Sequence, residues 1–140
     1  MGIVVDVSQL TTFAARVGEL AGVQKEAFFT ESLNTLAGVY LGLVKPLTPA
    51  RSGTLRGGWD ANPPAVSGHS VTIINPVHYA SYVDLGHRQH PGQFVPPLKK
   101  RLKASWVPGQ HFTERAENAL ESAIPGVVQP LLDAYLRTVF

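Results

Sequence analysis

Asp84, His87 and His90 fall within one short stretch, and an acid beside two imidazoles is donor chemistry suited to zinc, to magnesium or to a metal-dependent nuclease. Such a centre needs three or more ligands converging in a fixed geometry. Here Gly86 separates the acid from both histidines and nothing anchors the three together, so no metal site is assigned. His69, His78 and His111 read as surface or hydrogen-bonding residues. Glu114, Glu117 and Glu121 recur at three- and four-residue intervals, the pattern of a solvated helix face. No Gly-x-Ser-x-Gly elbow occurs, so a serine nucleophile has no frame. The glycine-rich stretch 48–59 lacks the Gly-Lys-Ser/Thr ending of a phosphate loop. Its Arg51 and Arg56 are candidates for a phosphate or carboxylate, against the plainer reading of solvated arginines. No catalytic residue and no cofactor follows from these patterns.

Charge is a stronger signal. The chain carries +2 overall, yet Arg88, Lys99, Lys100, Arg101 and Lys103 give the stretch 86–105 a charge of +5 with no acid, leaving the remainder at −3. Such asymmetry suits a phosphate backbone or an acidic protein surface, and equally a solvated loop. Phe94, Val95, Leu98 and Leu102 are interleaved with those cations, and solvated loops rarely carry so many apolar side chains. With 140 residues and no cysteine, the chain has one domain's worth of core to build from packing or assembly alone. Residues 1–7 are apolar but short, without a basic leader, and no run approaches the roughly 18 apolar residues of a membrane span. Nothing in the pattern suggests export or insertion into a membrane.

The elements that would position these residues are mostly helical. Leu10, Phe13, Ala14, Val17, Leu20 and Ala21 recur at helical spacing behind Ser8 as N-cap, which predicts a helix over 8–21. A second helix is predicted over 23–44, with Phe29, Leu33, Leu36, Ala37, Tyr40 and Val44 on one stripe and Phe28, Val39 and Leu43 widening it. At about 30 Å it exceeds what a small sheet covers, so either a partner subunit or the first helix is expected to supply a second cover. Pro46 and Pro49 are expected to close it. Strands are expected at 59–61 and 65–75, separated by Asn62-Pro63-Pro64, with Val71 and Ile73 facing inward. A short helical turn follows between Pro76 and Gly86. In it Tyr79 and Tyr82, three residues apart, are expected to form a buried aromatic plug against Phe112. Residues 93–105 read as an extended arm, with a bent hairpin returning through Trp106-Val107 as the alternative. A helix is expected from Phe112 to Ser122, and Pro125 and Pro130 should force a restart or kink beyond it.

Taken in order, the paired N-terminal helices, Ser52-Gly53-Thr54-Leu55-Arg56, the strand ending in Asn75-Pro76, Tyr79-Ala80-Ser81-Tyr82-Val83-Asp84-Leu85-Gly86, and Pro108 with Phe112 opening a helix resemble the tail-completion or neck proteins of long-tailed double-stranded DNA phages. The family pattern has a Thr-Gly-x-Leu-Arg loop, a Tyr-Ala-x-Tyr-Val-Glu-x-Gly turn and a Pro-x-x-Phe entry into a C-terminal helix. This chain departs from it in carrying Asp84 and His87 where Glu and Thr are common, and in a longer basic insertion before Trp106.

The resemblance implies a non-enzymatic α+β protein with an N-terminal helical pair, a small antiparallel sheet, a short central helical turn, an extended basic arm and a C-terminal helix. It implies residence in the virion, at the neck or proximal tail, as a hexameric ring, or a twelve-copy ring if seated on a connector. Its expected neighbours are head-closure, tail-terminator or tail-tube proteins, with non-specific contact to genomic DNA in the lumen as a further expectation. The residues expected to face partners or DNA are Arg51, Arg56, Arg88, Phe94, Leu98, Lys99, Lys100, Arg101 and Lys103. A single domain over 1–140 with a flexible arm at 87–105 is expected, and the competing readings are a metal-dependent nuclease and a non-specific DNA-binding module.

Overall fold

The computed structural model describes residues 2–6 and 22–139, so the helix expected over 8–21 lies outside the described residues. Two long helices dominate: α1 (Gly22–Leu47) and α4 (Phe112–Val139), which pack along one another. Phe29, Leu33, Leu36, Ala37, Tyr40 and Val44, the stripe read from the sequence, are all buried, and the Phe28 ring stacks on Tyr135 of α4 at 4.9 Å. Much of the cover that α1 needs thus comes from the C-terminal helix of the same chain, a source the sequence did not suggest.

Between the long helices the chain builds a short helix α2 (Thr54–Gly57), a 3-10 turn (Gly58–Asp60), and strands β2 (Ala65–Ser67) and β3 (Ser70–Ile74). Strand β1 (Gly2–Asp6), absent from the expected elements, joins them in an antiparallel sheet of order β1-β3-β2, with Gly2 opposite Ile74 and Val5 opposite Val71. The strand expected at 59–61 is instead the 3-10 turn. It drives Trp59 into the core, edge-on to Tyr40 at 6.2 Å and to Phe112 at 6.3 Å. A Cβ on Gly58 would stand 2.3 Å from Asn75 Oδ1, so a glycine is required where this turn crosses the end of β3.

Helix α1 ends at Leu47, between the two prolines expected to close it, and carbonyls at and just past its end are satisfied from the following loop: the Arg56 guanidinium donates to Thr48 O at 2.8 and 3.0 Å and to Pro46 O at 3.3 Å. Thr48, fully buried, donates its hydroxyl to Val44 O at 2.7 Å and accepts from Trp59 Nε1 at 2.9 Å.

Helix α4 also runs through its prolines. Pro125 and Pro130 are exposed, and Gly126, four residues before Pro130, has open space around it for the ring. Each interior proline costs about 3 kcal/mol. The buried row Phe112, Ala116, Leu120, Val128, Leu132 and Tyr135 holds the helix as one piece against that cost. No helix among the described residues is long and apolar enough to cross a membrane.

Candidate assembly surface

Helix α3 (Ala80–Leu85) leads directly into a hairpin whose outer strands are β4 (Gly86–Arg88) and β7 (Trp106–Pro108), paired as Gly86 with Pro108 and Arg88 with Trp106. Gln89 N donates to Ser105 O at 2.9 Å, Gly92 N to Leu102 O at 2.7 Å and Leu102 N to Gln93 O at 2.8 Å, carrying the ladder outward. It reaches a second pair, β5 (Phe94–Val95) with β6 (Lys100–Arg101), closed by a 3-10 turn at Pro96–Leu98 and by Lys99 at φ 51°. Residues 87–105 thus form the bent hairpin returning through Trp106-Val107, the alternative to an extended arm. Two of its three prolines, Pro96 and Pro97, sit in the turn at the tip, where no ladder N–H is needed.

The foot of the hairpin is held by close backbone approach. Gly86 has φ 91°, and a Cβ there would lie 2.5 Å from Val107 O; a Cβ on Gly109 would lie 2.2 Å from Asp84 O. Gln110 N donates to Val83 O and His111 N to Asp84 O, both at 2.9 Å. Asp84, 1% exposed, accepts from Thr113 N at 3.2 Å and, through a short hydrogen bond, from the Thr113 hydroxyl. A carboxylate at the first turn of a helix satisfies open N–H groups and complements the helix dipole. Asp84 therefore serves as the cap of α4, and its charge has a further effect. Partial burial first, then Asp84 and Glu114, hold the Glu117 carboxyl above the ordinary carboxylate range.

This arrangement overturns the plug reading of the corner. Among the described residues no three acidic or imidazole side chains converge on a common point, and Asp84 has both oxygens committed to Thr113. Tyr82 is 58% exposed and does not belong to a buried plug, whereas Tyr79 is half-buried and Phe112 fully buried. Ala80 and Asp84 are the residues of α3 that face inward, and two residues on from Ala80 means a rotation of about 200°, which turns Tyr82 outward.

The expected partner-facing residues divide. Arg56 is occupied as the cap of α1 and is corrected to a structural role. Arg51 is exposed and lines an open pocket of about 550 Å³ with Leu55, Tyr79 and Val83, away from the hairpin residues. Arg88, Lys99, Lys100, Arg101 and Lys103 are all exposed along the hairpin, together with Phe94 (50%) and Leu98 (48%) at its tip. At its foot the sequence reading missed a second apolar patch: Tyr82, Leu85 and Trp106 are exposed, and the Tyr82 ring lies 5.8 Å from that of His87. Leu85 beside Gly86 and Trp106 shortly before Gly109, each a large apolar residue next to a glycine, were the available signal.

An exposed basic hairpin with apolar side chains, carried on a helix-and-sheet body, is the anatomy of an assembly part. The chain belongs to the family described as "Bacteriophage HK97-gp10, putative tail-component", whose sequence profile matches residues 11–86. It is a phage tail component of α+β fold, consistent with the tail-completion and neck resemblance and with a place in the virion. The match stops at the foot of the hairpin. No curated protein matches the chain. No solved structure matches it either.

Proposed function

We propose that the protein completes the phage tail as a closed ring at the neck or head-proximal end, acting by contact and not by catalysis. All 140 residues would work as one unit, in a hexameric ring, or a twelve-copy ring if it sits on a connector. Head-closure, tail-terminator or tail-tube proteins would lie above and below. The observation that carries this reading is the projecting hairpin, which keeps Phe94, Leu98 and Trp106 in solvent at a cost no monomer needs to bear.

The test is deletion of residues 93–103 in a phage encoding this chain. The body should melt as before, because this segment bonds chiefly to itself, while tails should fail to mature or to join heads. Symmetry of the protein in wild-type particles gives the copy number. Infectious virions from the deletion mutant would end the proposal.

The basic hairpin favours one second reading, contact with genomic DNA in the lumen. It predicts DNA binding whose log affinity falls with log salt in proportion to the phosphates contacted.

A further inference from the structure

We propose that the hairpin tip of one copy seats in a pocket between β1 and α4 of a second copy, with Phe94 entering the pocket and Lys99, Lys100 and Arg101 pairing with Glu117 and Glu121 on its rim. The proposal rests on the ring reading above and supplies its missing contact. The pocket has a volume of about 210 Å³; Ile3, Val4, Val5, Leu120 and Ile124 form its apolar walls, and Glu117 and Glu121 complete the lining. An apolar cavity of about 150 Å³ holds a benzene molecule, so a phenyl ring fits.

The charges match on both sides. Ion pairs among the described residues join Lys45 to Asp60, His69 to Glu26 and His111 to Glu114, and leave Glu117 and Glu121 unpaired. Those two carboxylates are exposed one helical turn apart, where like charges repel. Burial first, then the charges of Asp84 and Glu114, hold Glu117 above its usual range, and the two neighbouring acids are charges that a cation docked there would offset. The hairpin brings the opposite sign: Lys99, Lys100 and Arg101 cluster around two exposed apolar side chains with no acid among them. Arg101 donates one bond to Gly92 O, which orients the guanidinium without neutralising it.

Placement and symmetry agree. The ladder that starts at Arg88–Trp106 runs outward through Gln89–Ser105 and Gly92–Leu102 to the 94–95/100–101 pair, so the tip with Phe94 stands at the far end of the hairpin from its foot. Hairpin and pocket are different surfaces, so the contact is head-to-tail, the kind that makes a ring when its rotation closes and an open filament when it does not. Aromatic anchors in dry pockets, ringed by charge, are the usual centres of such contacts.

The chain has no cysteine, so introduced thiols report on single contacts. Full-length Phe94→Cys is mixed with Ile124→Cys under mild oxidation, in solution and in assembling particles. The control partner is Ser67→Cys, exposed on the sheet edge opposite β1. Docking predicts at least about tenfold more Phe94–Ile124 heterodimer than control, from the raised local concentration. A second arm uses charge. Lys99→Glu/Lys100→Glu/Arg101→Glu alone and Glu117→Lys/Glu121→Lys alone should each lose association while melting no earlier than the parent, and mixing the two should restore it in alternating rings. If rings form in particles without the cross-link, or if both charge variants fold and the mixture stays dissociated, the pocket is not the receptor and the ring reading survives. A hairpin variant that fails while the Glu117/Glu121 variant assembles normally assigns the hairpin to DNA or another protein and overturns the inference. A chain that stays monomeric even in particles overturns both.

Discussion

Asp84 and Thr113 lie 29 residues apart, yet the buried carboxylate of the first accepts both the backbone N–H and the hydroxyl of the second. One side chain thereby joins α3, the foot of the hairpin and the start of α4. Asp84→Ala should cost about 2 to 4 kcal/mol, the sum expected from losing a helix cap and a charged hydrogen bond while leaving Thr113 unsatisfied. Urea unfolding at neutral pH measures it. Amide exchange at Gln110 and His111 should quicken in the same variant, since their acceptors lie in α3. Unchanged stability would mean that Asp84 is not the cap.

Phe112 and Tyr82 should part company on truncation. Phe112, fully buried beside Trp59, should cost about 3 to 5 kcal/mol as alanine, a large share of a small domain's stability. Tyr82→Ala should leave the melting temperature nearly where it was and be felt only in assembly. A Tyr82→Ala protein that melts early would place the ring inside after all.

The raised carboxyl of Glu117 gives a pH signature with a definite sign. Between the ordinary carboxylate value and the higher folded value, the folded chain holds more protons than the unfolded one, so stability falls as pH rises through that window and levels off above it. Glu117→Gln should remove this slope, leaving the variant more stable than the parent at neutral pH and equal to it in strong acid. Asp84→Asn should lower the Glu117 titration midpoint in an NMR titration, because Asp84 is one of the charges that raise it. A midpoint that does not move would contradict the coupling.

Tyr40 offers a gain. Its hydroxyl is buried with no hydrogen-bond partner among the described residues, and that burial pushes the phenol far above its ordinary range. Tyr40→Phe removes an unsatisfied polar atom and keeps the ring against Trp59, so it should stabilise by about 1 kcal/mol. Thermal melts decide it, and a loss of stability would show that the hydroxyl is bonded.

Much of this was written in local patterns. The buried stripe from Phe29 to Val44, the inward pair Val71 and Ile73, and the short helix before Gly86 follow from spacing alone, because each is read within a few turns of one element. Long-range facts were not legible. Strand β1 is five residues with no turn signal of its own, and only its pairing with β3 makes it a strand. Trp59 looked like a strand residue until the crossing with Asn75 required Gly58 and a tighter turn. Pro125 and Pro130 carry breaking signals that the buried face of α4 outweighs. At the candidate surface, the cations of the hairpin were evident from charge, whereas Arg56 was misread because its acceptors, Pro46 O and Thr48 O, are backbone groups no pattern displays. Thr113, Glu117 and Glu121 became readable only once α4 was placed beside α3 and β1.

The sheet order also sets a timetable. Strands β2 and β3 are neighbours in the chain and can pair as soon as both leave the ribosome, but Gly2 must wait for Ile74. During synthesis the first strand is therefore an unclaimed, apolar ribbon, and closing so long a loop is the slow step of its docking. Nascent chains halted before residue 74 should be the stage most prone to clumping and most dependent on chaperones. A chain released after β3 should pass that stage in one cooperative event, with β1 laid down last on a hairpin already in place.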